Sequence, residues 1–426
     1  MKKIGVALLG LGTVGSGTYR ILKTQREEIK KNYGKDIRVL HILEKDIEKV
    51  NALGIDHKIV STDINNVINN PDIQIVAEFF GGIEPARTFL LEALNAGKSI
   101  VTANKELFSK HWAEFEAVAA KTGAGLYFEA SCVGGVPIIR ALTESMQGND
   151  IQEIKGIING TTNYILTKMS CEGATYEKAL KEAQELGYAE ADPTADVDGY
   201  DSMYKLSILS TLAFNRPVPI DKIYREGISK VKPEDIRWGQ DFGLTLKLLA
   251  ISKVIDGKIE AIVNPVFIPD NHTLASVNDS FNAVDVIGNN VGELMFYGRG
   301  AGALPTGSAI VSDIVYAAGL SSHKRYPQLD SSVKVKDEDF IRDFNSEYYI
   351  RLTVNDRPGV LAKLAGVFAA HNVSITSVNQ RPGENLVPII MITHATSEKA
   401  IKEVAEKISA LAEVNSIDSL IRVERN

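Results

Sequence analysis

Two charged residues interrupt an otherwise apolar run near the middle of the chain. From Tyr200 to Phe214 nearly every residue is apolar or small, and only Asp201 and Lys205 carry charge. Four positions apart on a helix, they share one face. Such charges are costly in an apolar helix unless they pair or face a wet pocket. A structural ion pair would satisfy that condition, and so would a reactive site. The residues just ahead favour the site, because Glu190, Asp192, Asp196 and Asp198 join Asp201 in the same short stretch. An acidic pocket holding one amine suits a substrate with its own ammonium group. The acid spacing lacks the ligand pattern and closing glutamate of an EF-hand calcium loop. Pro193 and Gly199 predict a loop at the start of this stretch, with Asp198 as the helix N-cap.

A second chemical signal opens the chain. Ile4–Leu9 is an apolar run typical of a central parallel strand. It is followed by Gly10, Gly12 and Gly15 in Gly-x-Gly-x-x-Gly spacing, and then by a predicted helix from about Val14 to Lys31. In that context Gly10 makes the tight turn, Gly12 lets backbone approach a pyrophosphate, and Gly15 lets helix and strand pack closely. Amides at the helix start, at Thr13 and Val14, would meet the phosphates. The next strand, Ile37–Leu43, ends in Glu44-Lys45-Asp46. An acid there suits the ribose of NAD and a base the 2′-phosphate of NADP, so the coenzyme choice stays open.

The elements that must position these groups alternate regularly. Strands are predicted over Ile73–Phe80, Ser99–Thr102 and Gly125–Glu129, with helices over Glu84–Gly97 and Glu106–Lys121 between them. Repeated β-α-β units argue a doubly wound parallel sheet. Ligands bind at the carboxyl ends of such strands, where Thr102 and Lys105 stand. Glu129 to Pro137 is glycine-rich, and its carbonyls with the Glu129 carboxylate could hold a monovalent cation or simply form a hinge. Cys132 is a possible nucleophile for thioester chemistry, although no histidine lies near it in sequence. Beyond it, Ile151–Ile158 reads as a strand and Asn159 to Asn163 as a polar turn containing Gly160 and Thr161. A helix from Thr162 to Ser170 and another from Tyr176 to Leu186 follow, the latter ending at Gly187. Strands over Gly257–Phe267 and Ser280–Val286 make the middle α+β. Met295 to Ser308 reads as a glycine-rich turn before a helix to Gly319, which returns to the first domain. Residues 321–345 turn polar and read as a linker.

Bulk properties narrow the classes. At 426 residues the chain should hold two or three domains. A net charge of −7 implies neither nucleic acid nor an anionic membrane as partner. Two cysteines, Cys132 and Cys171, make no disulfide framework, and a reducing cytoplasm is the default. The apolar start is short and glycine-interrupted, so a buried strand explains it better than a signal peptide.

Taken in order, several stretches resemble the homoserine dehydrogenases over nearly the whole length. They are Ala7 to Gly17, Gly81 to Pro85, Val101 to Lys105, Phe128 to Ser131, Gly156 to Asn163, Gly187 to Pro193 and Gly298 to Gly302. The resemblance implies NAD(P)-dependent interconversion of L-homoserine and L-aspartate 4-semialdehyde by a monofunctional enzyme of threonine and methionine biosynthesis. It implies Lys205 as acid/base group, with Lys105 near the same oxygen and the nicotinamide. Glu190 would hold the substrate ammonium, with Asp201 and backbone near Gly187 completing that site. Asp196, Gly160 and Thr161 are counted with it. Gly302 would lie against the coenzyme, and Lys45 matches a basic residue frequent in the family, which favours NADP. A structural sodium ion would sit among Glu129 and the carbonyls of Cys132, Gly134 and Val136. Met203-Tyr204 departs from a frequent Ala-Arg pair.

The last 80 or so residues, 346–426, read β-α-β-β-α-β, the ferredoxin-like order. They resemble an ACT domain, with Asp356 to Leu361 as its turn signature. Amides around Asn355, Asp356, Gly359 and Val360 could take a carboxylate. L-Threonine is the expected effector, with a plain dimerisation module as the other reading. Three domains follow: 1–133 for dinucleotide, 134–303 for catalysis and dimerisation, and 346–426 for regulation, in a homodimer or homotetramer. An aspartate dehydrogenase-like enzyme and a non-catalytic amino-acid sensor remain the alternatives.

Overall fold

The computed structural model describes residues 2–319, 326, 334–381 and 385–425. The stretches 321–325 and 327–333 of the expected linker at 321–345 therefore lie outside the described residues. The first domain is a six-stranded parallel sheet. Its order is Val60–Ser61, Lys35–Leu43, Lys2–Leu9, Ile73–Glu78, Ser99–Thr102, Leu126–Tyr127. The order reverses beside Lys2–Leu9, and at that switch point the glycine turn leaves the sheet. The central strand is buried on both faces, with Val6, Ala7, Leu8 and Leu9 wholly enclosed. The predicted single helix after the turn is two, Thr13–Thr24 and Arg26–Tyr33, broken at Gln25. Helix Ala303–Gly319 packs across the first of these. A Cβ on Gly17 would lie 2.0 Å from the Ala303 carbonyl oxygen, so only glycine permits that approach.

The remaining strands form one continuous sheet of eleven. Its catalytic part runs Gly292–Arg299, Phe281–Gly288, Ile151–Ile157, Leu244–Ile255, Lys258–Pro269. Leu244–Ile255 is a strand that the sequence pattern does not announce, and Gly292–Arg299 replaces part of the predicted glycine-rich turn. The sheet then passes directly into the ACT fold, because Val414–Val423 pairs in parallel with Lys258–Pro269 at Val266 and Phe267. Asn345–Asn355, Leu386–Thr393 and Ile375–Gln380 continue it, and two short strands pair to its side, Tyr224–Arg225 on Lys258–Pro269 and Thr396–Ser397 on Asn345–Asn355. A buried cluster seals the junction. Asp235, with no exposure, accepts from Arg351 Nε at 2.6 Å, Ser419 Oγ at 2.6 Å and Tyr349 Oη at 3.2 Å. Nearby, Lys253 meets Glu424 at 3.1 Å. Among the described residues no helix is long and apolar enough to cross a membrane.

Candidate active site

Helix Tyr200–Phe214 forms where predicted, and residues 205–213 are all buried. Its cap is not the expected one. Gly199 is the N-cap, in left-handed conformation at φ 81°, and no side chain caps the helix. Asp198 instead ends a four-residue helix, Thr194–Val197, that Pro193 starts within the expected loop.

Asp201 sits in the first turn, where the helix dipole favours an anion. It is 6% exposed and surrounded by donors. Lys205 Nζ reaches its Oδ2 at 2.6 Å, one turn along. Lys105 Nζ reaches Oδ1 at 3.2 Å from the first domain. Asn159 Nδ2 donates to Oδ2 at 2.8 Å and also to Asp196 Oδ1 at 2.7 Å. Burial alone would raise the Asp201 pKa, but the two ammonium groups outweigh it and hold the carboxyl well below its usual range. The reciprocal effect raises the Lys105 pKa, chiefly through Asp201, against the opposing effect of burial. Asp196 is pushed up by burial and by Asp201. Lys205 also donates to the Ile158 carbonyl at 2.8 Å. An ammonium has three donors, so two are committed and one is left for the cavity that Lys205 lines.

That cavity has a volume of about 620 Å³ and lies between the first domain and the large sheet. Of the five clustered acids, Glu190, Asp196 and Asp201 line it. Asp192 does not; it accepts from Thr194 N and Oγ1 just ahead of the short helix. Gly160, Thr161 and Gly187 line it too, and Thr161 Oγ1 donates to the Tyr188 carbonyl at 2.6 Å, bracing the two loops. Lys105, Thr13, Val14 and Gly302 close the side toward the glycine turn. Asn159, which the sequence marks only as part of a polar turn, does more. Its side chain also accepts from Thr162 N at 2.8 Å, so it caps the following helix and orients two acids at once.

The glycine turn fits a dinucleotide. Helix Thr13–Thr24 starts at Gly12 with no side-chain cap and no acid in its first turn. A Cβ on Gly12 would meet nothing within 4 Å, leaving the approach open, whereas one on Gly15 would lie 2.2 Å from the Gly10 carbonyl oxygen. Glu44 is occupied internally, accepting from Leu11 N at 2.6 Å and from Lys45 N and Asp46 N at 2.9 Å. Lys45 is exposed at the same strand end. Thr102 Oγ1 donates at 2.6 Å to Glu78, a fully enclosed carboxyl that burial pushes up to about 7.

Both Glu129 carboxylate oxygens accept backbone amides, Ile139 N and Arg140 N, at 2.8 Å. Each of these oxygens keeps a further lone pair, so the Glu129 carboxylate and the main-chain carbonyls of Cys132, Gly134 and Val136 are oxygens of the kind a hard cation takes. Val133 and Gly134 both have positive φ, which turns the peptide planes sharply there. Cys132 is no nucleophile. It is wholly buried, and burial pushes its thiol up to about 12.

In the ACT part, Gly359 starts helix Val360–Ala370 in left-handed conformation, with no side-chain cap. Asn355 N donates to the Glu413 carbonyl at 2.9 Å and Asp356 N to the Asn385 carbonyl at 3.1 Å. Those two amides are thus committed, and at the start of the helix Val360 N donates to the Arg357 carbonyl at 3.4 Å.

Comparison with known proteins agrees with this architecture. Residues 137–315 match the family model for homoserine dehydrogenase, and 10–129 its NAD binding domain. Residues 348–413 match the ACT domain. The homoserine dehydrogenase of Bacillus subtilis is 39% identical over 100% of this chain and 99% of its own. That of Corynebacterium glutamicum is 41% identical over 99% and 96%. The crystal structure of a homoserine dehydrogenase from Thiobacillus denitrificans superposes with a TM-score of 0.90 at 40% identity, covering 99% of this chain and 98% of that one. A hyperthermophilic archaeal homoserine dehydrogenase in complex with NADPH superposes at 0.62 with 28% identity, over 74% of this chain and 97% of its own. With matches across all three of its parts, the chain belongs to the homoserine dehydrogenase family.

Proposed function

We propose that this chain interconverts L-homoserine and L-aspartate 4-semialdehyde with NADP or NAD, in threonine and methionine biosynthesis in the cytoplasm. The observation that carries the reading is the single buried carboxylate of Asp201 holding Lys105 and Lys205 at the wall of one cavity. A nicotinamide coenzyme, when bound, would give hydride to the aldehyde carbon in reduction and take it from the carbinol carbon in oxidation. Lys205 handles the proton. In reduction its third N–H gives a proton to the developing alkoxide, and in oxidation the lysine, as the neutral amine, takes the hydroxyl proton and becomes the ammonium. Lys105 adds positive charge from the coenzyme side. Glu190, Asp196 and the backbone near Gly187 hold the substrate ammonium, while Gly160 and Thr161 shape its pocket. Gly10, Gly12, Thr13, Val14, Gly15, Thr102 and Gly302 hold the coenzyme. Lys45 meets a 2′-phosphate, which favours NADP, because Glu44 is already engaged. Sodium is held by Glu129 and the carbonyls of Cys132, Gly134 and Val136. The enzyme works as a homodimer or homotetramer. L-Threonine binds at the turn of Asn355, Asp356, Gly359 and Val360 and slows turnover.

The test is the initial rate of coenzyme oxidation with L-aspartate 4-semialdehyde, using NADPH and NADH in parallel, with and without L-threonine. Turnover that is faster with NADPH and slowed by threonine is the expected result. No turnover with either coenzyme, in folded protein supplied with sodium, would overturn the assignment and point to an aspartate dehydrogenase-like enzyme or a sensor.

A further inference from the structure

The helix that carries Asp201 and Lys205 begins without a side-chain cap, and Asp201 lies only two residues past Gly199. Helix ends fray unless something holds them. Yet Asp201 must stay fixed, since it holds a lysine from another domain at 3.2 Å. Besides the donors on its carboxylate, a further restraint comes from a segment outside the cavity. Strand Tyr224–Arg225 pairs in parallel with Lys258–Pro269, at Ile262 and Val263. The chain beyond it runs against the approach to the helix. Ile228 N donates to the Val197 carbonyl at 2.8 Å, and a Cβ on Gly227 would lie 2.2 Å from that same oxygen. The Arg225 guanidinium stands 3.6 Å over the Tyr200 ring and donates to the Asp198 carbonyl. One side chain thus grips the residues on either side of Gly199. Its neighbour Tyr224 is held in turn from the ACT side, under Arg422 at 5.2 Å and edge-on to Phe344 at 5.6 Å.

We propose that Arg225 is a positioning residue for the reaction: by stacking on Tyr200 and donating to the Asp198 carbonyl, it fixes the start of the helix that presents Asp201 and Lys205. It touches neither cavity nor coenzyme site, so its effect should fall on the substrate side alone. This rests on the substrate assignment proposed above.

Arg225→Ala and Tyr200→Leu each remove half of the stack, and Arg225→Met keeps the aliphatic stem in case the alanine variant fails to fold. A misplacement of this kind should lower kcat/KM for L-aspartate 4-semialdehyde by about 10- to 100-fold. The NADPH Kd, read by fluorescence titration, should stay within about twofold. Arg225→Lys should recover part of the loss, since it restores the donor and charge but not the planar stack. Unchanged kcat/KM in the folded variants would overturn the proposal. So would a parallel loss of NADPH affinity, which would mark general damage. Calorimetric titration of L-homoserine into the NADP-loaded protein tests the same point without turnover. Weakened binding in the variants supports the positioning role. Equal binding overturns it, and absence of wild-type turnover counts against the substrate assignment instead.

Discussion

Lys105 and Lys205 share one carboxylate, the first at Oδ1 of Asp201 and the second at Oδ2, at 3.2 and 2.6 Å. They come from different domains, so the ion pairs form only when the dinucleotide fold and the large sheet are closed on each other. Each lysine lowers the cost of burying Asp201, and Asp201 keeps Lys105 protonated beyond the pH at which a free lysine would lose its proton.

Replacing Lys205 by alanine leaves Asp201 one cation and removes the proton donor. Turnover should fall by about 10²-fold or more, with NADPH binding intact. Steady-state rates beside a fluorescence titration of coenzyme check both halves.

Asp201→Asn keeps the shape and removes the charge. Since Asp201 raises the Lys105 pKa, the alkaline limb of the rate profile should move to lower pH in this variant. The acid side carries a separate signature. A carboxyl held below its usual range adds stability above about pH 4, lost as pH falls through its folded-state value. Wild type should therefore lose more stability on acidification than Asp201→Asn, as read by denaturant melts at stepped pH.

Cys132→Ser should keep near-wild-type kcat, because the thiol is buried and pushed up to about 12. In the native protein iodoacetamide should label the exposed Cys171 and spare Cys132, as peptide mass spectrometry will show. Rapid inactivation through Cys132 would count against its burial.

Lys45→Ala should raise the KM for NADPH by about 10-fold and leave that for NADH within about twofold. Glu44→Gln should weaken both coenzymes alike, because Glu44 ties the glycine turn to its own strand end. Kinetics with the two coenzymes in parallel separate these outcomes.

Arg351→Ala strands Asp235 in the buried junction with only neutral donors. Breaking such a pair costs about 3 to 5 kcal/mol, so thermal unfolding should shift down clearly. Truncation after Phe344 removes Arg351, Ser419 and Glu424 together and should destabilise the catalytic part, beyond any loss of regulation.

Several of these features are legible in the sequence because their signals are local. The glycine turn stands between an apolar strand and a helix, and Asp201 and Lys205 are the only charges in their helix. Other features have no local signal. Leu244–Ile255 is buried along most of its length, so it shows no alternation to mark it as a strand. The glycines of Gly292–Arg299 disguise an exposed edge strand as a turn. Asp198 resembles a cap because the short helix Thr194–Val197 is hidden behind Pro193. Asn159 resembles ordinary turn polarity, and only the return of the chain at Asp196 and Asp201 reveals its two partners. The pairing of Lys258–Pro269 with Val414–Val423 joins segments too far apart for any pattern to foretell.

That last pairing has a consequence for synthesis. The catalytic sheet is completed by a strand, Val414–Val423, that lies far along the chain from its partner. On the ribosome, the edge of Lys258–Pro269 near Val266 must wait until Val414–Val423 has emerged. Until then it is an uncovered strand edge, open to pairing with another chain. The module that carries Val414–Val423 thus acts as a closing clasp, whatever it does in regulation, and slow translation between the two strands would lengthen the window for mispairing.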